Sequence, residues 1–179
     1  HSFVREIFQL LIAFVCFRTA NKKILSANNF QWEPILEVTF IFFGIFFTMM
    51  PALDLMNEFS KNSSLGTTML FWGCGISSSF LDNAPAFLAF LSSFMSSVHL
   101  MPNEILKLCS QFPQQLLAFS CGAVFFGGMT YIGNGPNFMV KTIAEEMNLD
   151  MPEFFSYIIR YAIPYLLPVL ILVWIIFFQ

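Results

Sequence analysis

The sequence predicts an all-α membrane protein: transmembrane helices together with a re-entrant helical hairpin and a discontinuous helix. Composition is the first reason. Of 179 residues, 57% are apolar and 11% are charged, and phenylalanine alone supplies 25. A soluble domain carries about a quarter of its residues as charges, so lipid is the solvent this composition fits. Hydropathy is the second reason, because the chain falls into five apolar stretches divided by polar connectors. The third reason is that two of those stretches are broken in mid-course. One breaks at Asp82-Asn83-Ala84-Pro85 and the other at Gly133-Asn134-Gly135-Pro136-Asn137.

The first stretch, 3–17, is short for a span, since crossing takes about 20 apolar residues. Arg5 and Glu6 interrupt it, so it reads as a partial helix. A connector with Arg18, Lys22 and Lys23 follows. The second stretch, 35–56, is long enough to span. Pro34 suits the first helical turn, where a missing N–H costs nothing. Glu33 and Glu37 suit the positive end of the helix dipole, and Trp32 suits a membrane interface.

The third stretch, 66–98, exceeds one span yet is not one helix. Each arm holds about 15 residues, or roughly 22 Å of helix, against a hydrocarbon core of roughly 30 Å. Two short arms around a polar tip containing Pro85 predict a re-entrant hairpin. Pro102-Asn103-Glu104 then predicts a short interfacial helix. The fourth stretch, 116–147, is broken between Gly127 and Asn137, where four glycines and one proline fall in eleven residues. Glycine lowers helix propensity and proline removes a backbone donor. Asp150-Met151-Pro152-Glu153 predicts a helix start with a capping aspartate. The last stretch, 154–178, spans, with kinks expected at Pro164 and Pro168. The whole chain, 1–179, reads as one transmembrane domain in a multi-pass inner-membrane protein. The basic residues predict its orientation. Arg18, Lys22, Lys23, Lys141 and Arg160 fall on the cytoplasmic side when the hairpin dips in from outside.

Several classes are excluded. The net charge of −3 argues against a nucleic-acid partner. Cys16, Cys74, Cys109 and Cys121 make no metal-ligand pattern with His1 or His99. No Ser/His pairing or second well-placed catalytic aspartate marks an enzyme, and no cofactor is expected. The partner this composition demands is the lipid bilayer.

The breaks are the candidate site. A carboxylate near the membrane centre costs about 2.5–3.5 kcal/mol, so a residue such as Asp82 usually has a task there. Asn83 and Ser79 flank it. The second break supplies Thr130, Asn134, Pro136 and Asn137. Carbonyls, amides and a carboxylate are hard oxygen ligands, and Asp82, Asn83, Asn134 and Asn137 form a candidate sodium set. Gly127, Gly128, Gly133 and Gly135 are candidate hinges. Secondary transporters place their sites between two such discontinuous elements. The bland alternatives are that Asp82 caps a helix at the surface, that Gly127 and Gly128 are close helix contacts, and that Lys141 snorkels to the interface.

The sequence also resembles the C-terminal half of the ion transporter superfamily. That superfamily includes D-type bacterial sodium/proton antiporters, arsenite pumps, and citrate and dicarboxylate transporters. The resemblance is carried by Trp32-Glu33-Pro34-Ile35-Leu36-Glu37-Val38, Gly44-Ile45-Phe46-Phe47-Thr48-Met49-Met50-Pro51, Leu81-Asp82-Asn83-Ala84-Pro85 and Tyr131-Ile132-Gly133-Asn134-Gly135-Pro136-Asn137-Phe138-Met139-Val140-Lys141. It implies a missing N-terminal half with its own hairpin and broken helix, and it admits a homodimer. Dicarboxylate symporters of this kind carry Ser-Asn-Thr at the tip, where this chain has Asp82, Asn83 and Ala84. The second motif keeps Pro136 and Asn137, as the dicarboxylate branch does. A buried carboxylate binds Na⁺ or H⁺ in alternation, because burial raises its pKa and a bound cation lowers it. The expectation from sequence is therefore sodium/proton antiport with Asp82 exchanging the ions. Sodium-coupled citrate or dicarboxylate transport is the alternative, and a structural membrane subunit is the alternative of another class.

Overall fold

The computed structural model describes residues 3–21, 23, 26, 32–61 and 65–179, so Lys22 of the connector lies outside the described residues. Every regular element among them is helical. The chain divides into two compact units, His1–Glu33 and Pro34–Gln179. The first holds α1, Phe3–Thr19, which runs two residues beyond the expected stretch and buries none of its residues. Thr19 ends it by donating its hydroxyl to Val15 O at 2.9 Å.

The helix α2, Glu33–Lys61, lies in the second unit from Pro34 onward. It is longer than its apolar part, Ile35–Met49. The expected end near Met56 is corrected to Lys61, because the polar residues after Pro51 remain helical. Hydropathy marks where lipid contact ends; it does not mark where the backbone stops coiling.

Two 15-residue helices follow, α3 at Thr67–Leu81 and α4 at Asn83–Ser97. One residue, Asp82, joins them. The expected four-residue break is thus narrower, and Asn83 rather than Pro85 opens the second arm. Asp82 has φ 74° and ψ 157°, a region that glycine occupies readily and other residues at a cost. The arms run back along each other, since a Cβ on Gly73 would touch the Phe90 ring at 3.1 Å.

A 3₁₀ turn, Pro102–Glu104, opens the short α5, Ile105–Gln111. Met101 N–H donates to Glu104 Oε2 at 3.0 Å and Glu104 N–H to Met101 O at 2.9 Å, a reciprocal cap. The expected short helix is present here. Next come α6, Pro113–Phe125, and a second 3₁₀ turn, Phe126–Gly128. Irregular chain then leads to α7, Gly135–Glu146. The broken helix expected over 116–147 is interrupted between Phe125 and Gly135, and its second part starts at Gly135 rather than at Phe138, because Pro136 fits a first helical turn.

The last helix, α8, is Phe154–Phe177, 24 residues, and is long and apolar enough to cross a membrane. It starts from Glu153, which is its N-cap. The expected cap at Asp150 is corrected, since Pro152 and its neighbours stay outside the helix. The middle of α8 is a wide π-helical segment, Ile158–Leu166, with Pro164 inside it, and Pro168 lies in the first turn of the α-helical part that follows.

The core forms where the hairpin lies on α6. Leu70, Phe71 and Cys74 of α3, Ala86, Phe90 and Phe94 of α4, and Ala118, Phe119 and Ala123 of α6 are buried together. A Cβ on Gly122 would meet Phe71 O at 2.5 Å and Gly75 N at 3.1 Å, so glycine is what lets the α3 and α6 backbones touch. Small residues at such crossings are how membrane helices gain packing when lipid removes the hydrophobic drive. Leu170 and Phe178 add the far end of α8 to this core. Phe71 and Phe178 rings lie 5.0 Å apart, and Trp174 Nε1–H donates to Thr68 Oγ1 at 3.2 Å.

Candidate site at the hairpin tip and the helix break

The site forms because α3 ends where α6 ends. Ser78, fully buried, donates its hydroxyl to Ala123 O at 2.5 Å, across from the last turn of α3 to the last turn of α6. Ser79 donates to Gly75 O at 3.1 Å in its own helix and to Phe126 O at 3.3 Å. Thr130, 2% exposed, donates its hydroxyl to Ser79 O and accepts the Gly133 N–H at 3.0 Å. One hydroxyl thus ties the hairpin to the break and folds the break on itself.

Asn83 closes the junction. Its amide faces three acceptors, and the nitrogen placed there donates to Ala123 O at 2.8 Å, Ser78 Oγ at 3.1 Å and Gly133 O at 3.2 Å. This orientation follows from the network, because Ser78 spends its own proton on Ala123. Gly133 sits where three backbone carbonyls converge. A Cβ there would lie 2.8 Å from Ser79 O and 3.0 Å from both Gly127 O and Ser78 O. Gly127 is a close contact of the same kind, its Cβ position filled by the Asn83 amide.

Ser79, Asn83, Thr130, Gly127 and Gly133 are therefore in mutual contact. Asn137 joins at the rim, donating its amide to Gly127 O at 3.4 Å. Asn134 is the N-cap of α7 and caps no N–H with its side chain. Its Oδ1 is buried and has no partner among the described residues. Pro136 is exposed in the first turn of α7. Gly135 meets α2, where a Cβ would strike the Phe42 ring at 2.8 Å. Gly128 lies beside Leu166 of α8. Asp82 is partly buried, and it places no side-chain cap on α4.

The junction holds four helix ends. The C-terminal ends of α3 and α6 bring carbonyls, and the N-termini of α4 and α7 bring amides. Neither N-terminus has a side-chain cap. Ala86 N–H reaches Asp82 O at 3.3 Å, and Asn137 and Phe138 N–H share Asn134 O at 3.0 and 3.4 Å. Pro85 and Pro136 have no N–H. Asn83, Ala84 and Gly135 carry the remaining N–H groups of the two first turns. Helix N-termini favour anions and C-termini favour cations, so the junction has a pole of each sign.

Tyr131 and Tyr157 also belong to this junction and were not among the expected site residues; Ser78, beside Ser79 at the hairpin tip, joins them. Ser78 has a sequence signal: with Leu70, Phe71, Cys74 and Gly75 it continues the 3.6-residue period of the buried face of α3. Tyr157 donates its hydroxyl to Gly128 O at 2.9 Å, a pairing across 29 positions that leaves no local signature.

A hairpin and an interrupted helix meeting through their ends is an arrangement in which secondary transporters build a binding site, and the chain's family match makes it a membrane transporter. A family model described as "Putative citrate transport" matches residues 1–178, and the chain belongs to that family. Comparison with curated proteins and with solved structures gave no match.

Proposed function

We propose that the chain forms the binding half of a secondary transporter that carries a citrate-class carboxylate together with a cation. The observation supporting this is the pairing of two uncapped helix N-termini with two carbonyl-bearing C-termini at one junction. An anion takes the amide pole and a cation the carbonyl pole. A site for cations alone has no use for the amides. Asn83, Ser79, Thr130, Asn134, Pro136 and Asn137 shape this site, and the Asn134 oxygen is available as a cation ligand. In this reading α3 and α4 form a re-entrant hairpin in the inner membrane, and α8 spans it. A counterpart hairpin and broken helix in the same protein complete the pathway, with a homodimer as the assembly. Gly127, Gly128, Gly133 and Gly135 let the break shift between states.

A second reading, sodium/proton antiport, is favoured by Asp82, a partly buried carboxylate at the tip that places no side-chain cap on α4. Proteoliposomes of the full-length protein separate the two. Labelled citrate should enter under an imposed cation gradient, and Asn83→Ala should reduce the rate strongly. Absence of citrate uptake, combined with Na⁺-driven proton release that Asp82→Asn abolishes, would replace the first reading with the second.

A further inference from the structure

The two ends of α8 are fastened to different parts of the candidate site. Its distal half holds the hairpin base: Leu170 is buried in the core, and Trp174 Nε1–H donates to Thr68 Oγ1. Its proximal end holds the break. Tyr157 donates to Gly128 O at 2.9 Å, and Tyr131 of the break donates back to Pro152 O at 3.2 Å. The Tyr131 and Tyr157 rings stack at 4.4 Å, and Tyr161 continues the stack at 6.1 Å.

Between the two anchors lies the π-helical segment Ile158–Leu166. Wide turns of this kind are rare, are seldom more than one turn long, and often mark functional sites. Pro164 supplies the physical cause here. In an α-helix its ring would strike the carbonyl of Arg160, and it has no N–H to offer. A wider turn removes the clash. Register follows from turn width. Converting one wide turn to α changes the helical phase by about one residue, or roughly 100°. With the distal half held at Thr68, that rotation takes the Tyr157 hydroxyl away from Gly128.

We propose that Tyr157 is a positioning residue for the break, and that the π-helical segment after it is the joint that decides whether it engages. When engaged, it fixes the direction of the Gly128 carbonyl, next to the Gly127 carbonyl that Asn137 holds. Released, the break loses its tie to α8. The role in transport rests on the reading of the break as part of the transport site; the joint itself does not.

Amide hydrogen exchange on the purified full-length protein tests the joint without transport. Tyr157→Phe should speed exchange over 127–134 by about fivefold, the effect of one neutral hydrogen bond, and leave the hairpin over 67–97 unchanged. Pro164→Ala, which admits the α register, should do the same. The double variant should go no further than either alone. Tyr161→Phe keeps the stack and should be silent. Wild-type exchange in Tyr157→Phe, equal acceleration by Tyr161→Phe, or multiplying effects in the double variant would overturn the proposal. In citrate uptake, Tyr157→Phe should raise KM with little change in Vmax, since only the competent fraction falls. A fall in Vmax at unchanged KM would mean lost protein and overturn the positioning role. If the wild type carries no citrate, the transport reading fails while the exchange experiment still decides the joint.

Discussion

Replacing Gly133 with alanine probes a close approach of the break to the hairpin backbone. The new methyl group would lie 2.8 Å from Ser79 O and 3.0 Å from Ser78 O and Gly127 O. All three are backbone atoms, so no side-chain rotation relieves the overlap. Forcing a methylene into a packed site costs about 1–3 kcal/mol. If the hairpin parts from the break instead, the Thr130–Ser79 and Asn83–Gly133 hydrogen bonds go, at about 1 kcal/mol each. Both routes arrive near a loss of about 2 kcal/mol. For a chain of this size that lowers the melting midpoint by roughly 4–8 °C. The control lies five residues away. A Cβ on Gly128 meets only Leu166 Cδ2, at 3.4 Å, an ordinary contact with a side-chain end. Gly128→Ala should therefore leave the midpoint unchanged or raise it slightly, because alanine has less freedom to lose on folding. Thermal unfolding of the two variants in detergent measures both. A Gly133→Ala midpoint equal to wild type, or a Gly128→Ala loss as large, would refute the close-approach argument.

Ser78→Ala strips the Ala123 carbonyl and the Asn83 amide of a shared buried partner. It should cost about 1–3 kcal/mol, read in the same melting assay. Asp82→Gly places glycine where φ is 74° and should recover part of the roughly 1–3 kcal/mol such a conformation costs. Stability should rise in the same melting assay, and a fall would rule out strain at this position. The Glu104 carboxyl is held below the usual glutamate range, first by the Lys107 side-chain hydrogen bond and then by the Met101 N–H. A lowered folded-state pKa contributes stability above the ordinary glutamate pKa, and that contribution disappears as pH falls through the folded value. Glu104→Gln should therefore lower the midpoint slightly at neutral pH, leave it unchanged at pH values below the folded-state pKa, and so flatten the acid side of a pH–melting curve. An unchanged acid slope in the variant would rule out this role.

The parts of the fold legible in the sequence are those with local chemistry. Asp82 and Pro85 between two apolar runs mark the hairpin, and four glycines around Pro136 mark the break. The cap at Glu104 follows from a short-range pattern that reads the same in isolation. What sequence leaves out depends on which helix ends meet. Thr130 reaches Ser79 across 51 positions and Ser78 reaches Ala123 across 45. Neither spacing carries a period. The extension of α2 to Lys61 escaped because hydropathy reports solvent and the helix is set by backbone bonding. The wide turn around Pro164 escaped because proline announces a disturbance without saying whether the helix bends or unwinds to accommodate it. The site residues follow from residue type and from the position of the two breaks, and an N-terminus at the hairpin tip follows from Pro85, but which helix ends share one junction does not.

The bond from Trp174 to Thr68 joins positions 106 apart in the chain. A ribosome adding roughly 5–20 residues each second makes the partner of Thr68 some 5–20 s after Thr68 itself. Through that interval the base of the hairpin, with Phe71 and Trp72, lacks the helix that later covers it. Something else must shelter those rings meanwhile, so the nascent chain passes through a stage in which its hairpin can fold but is not yet sealed.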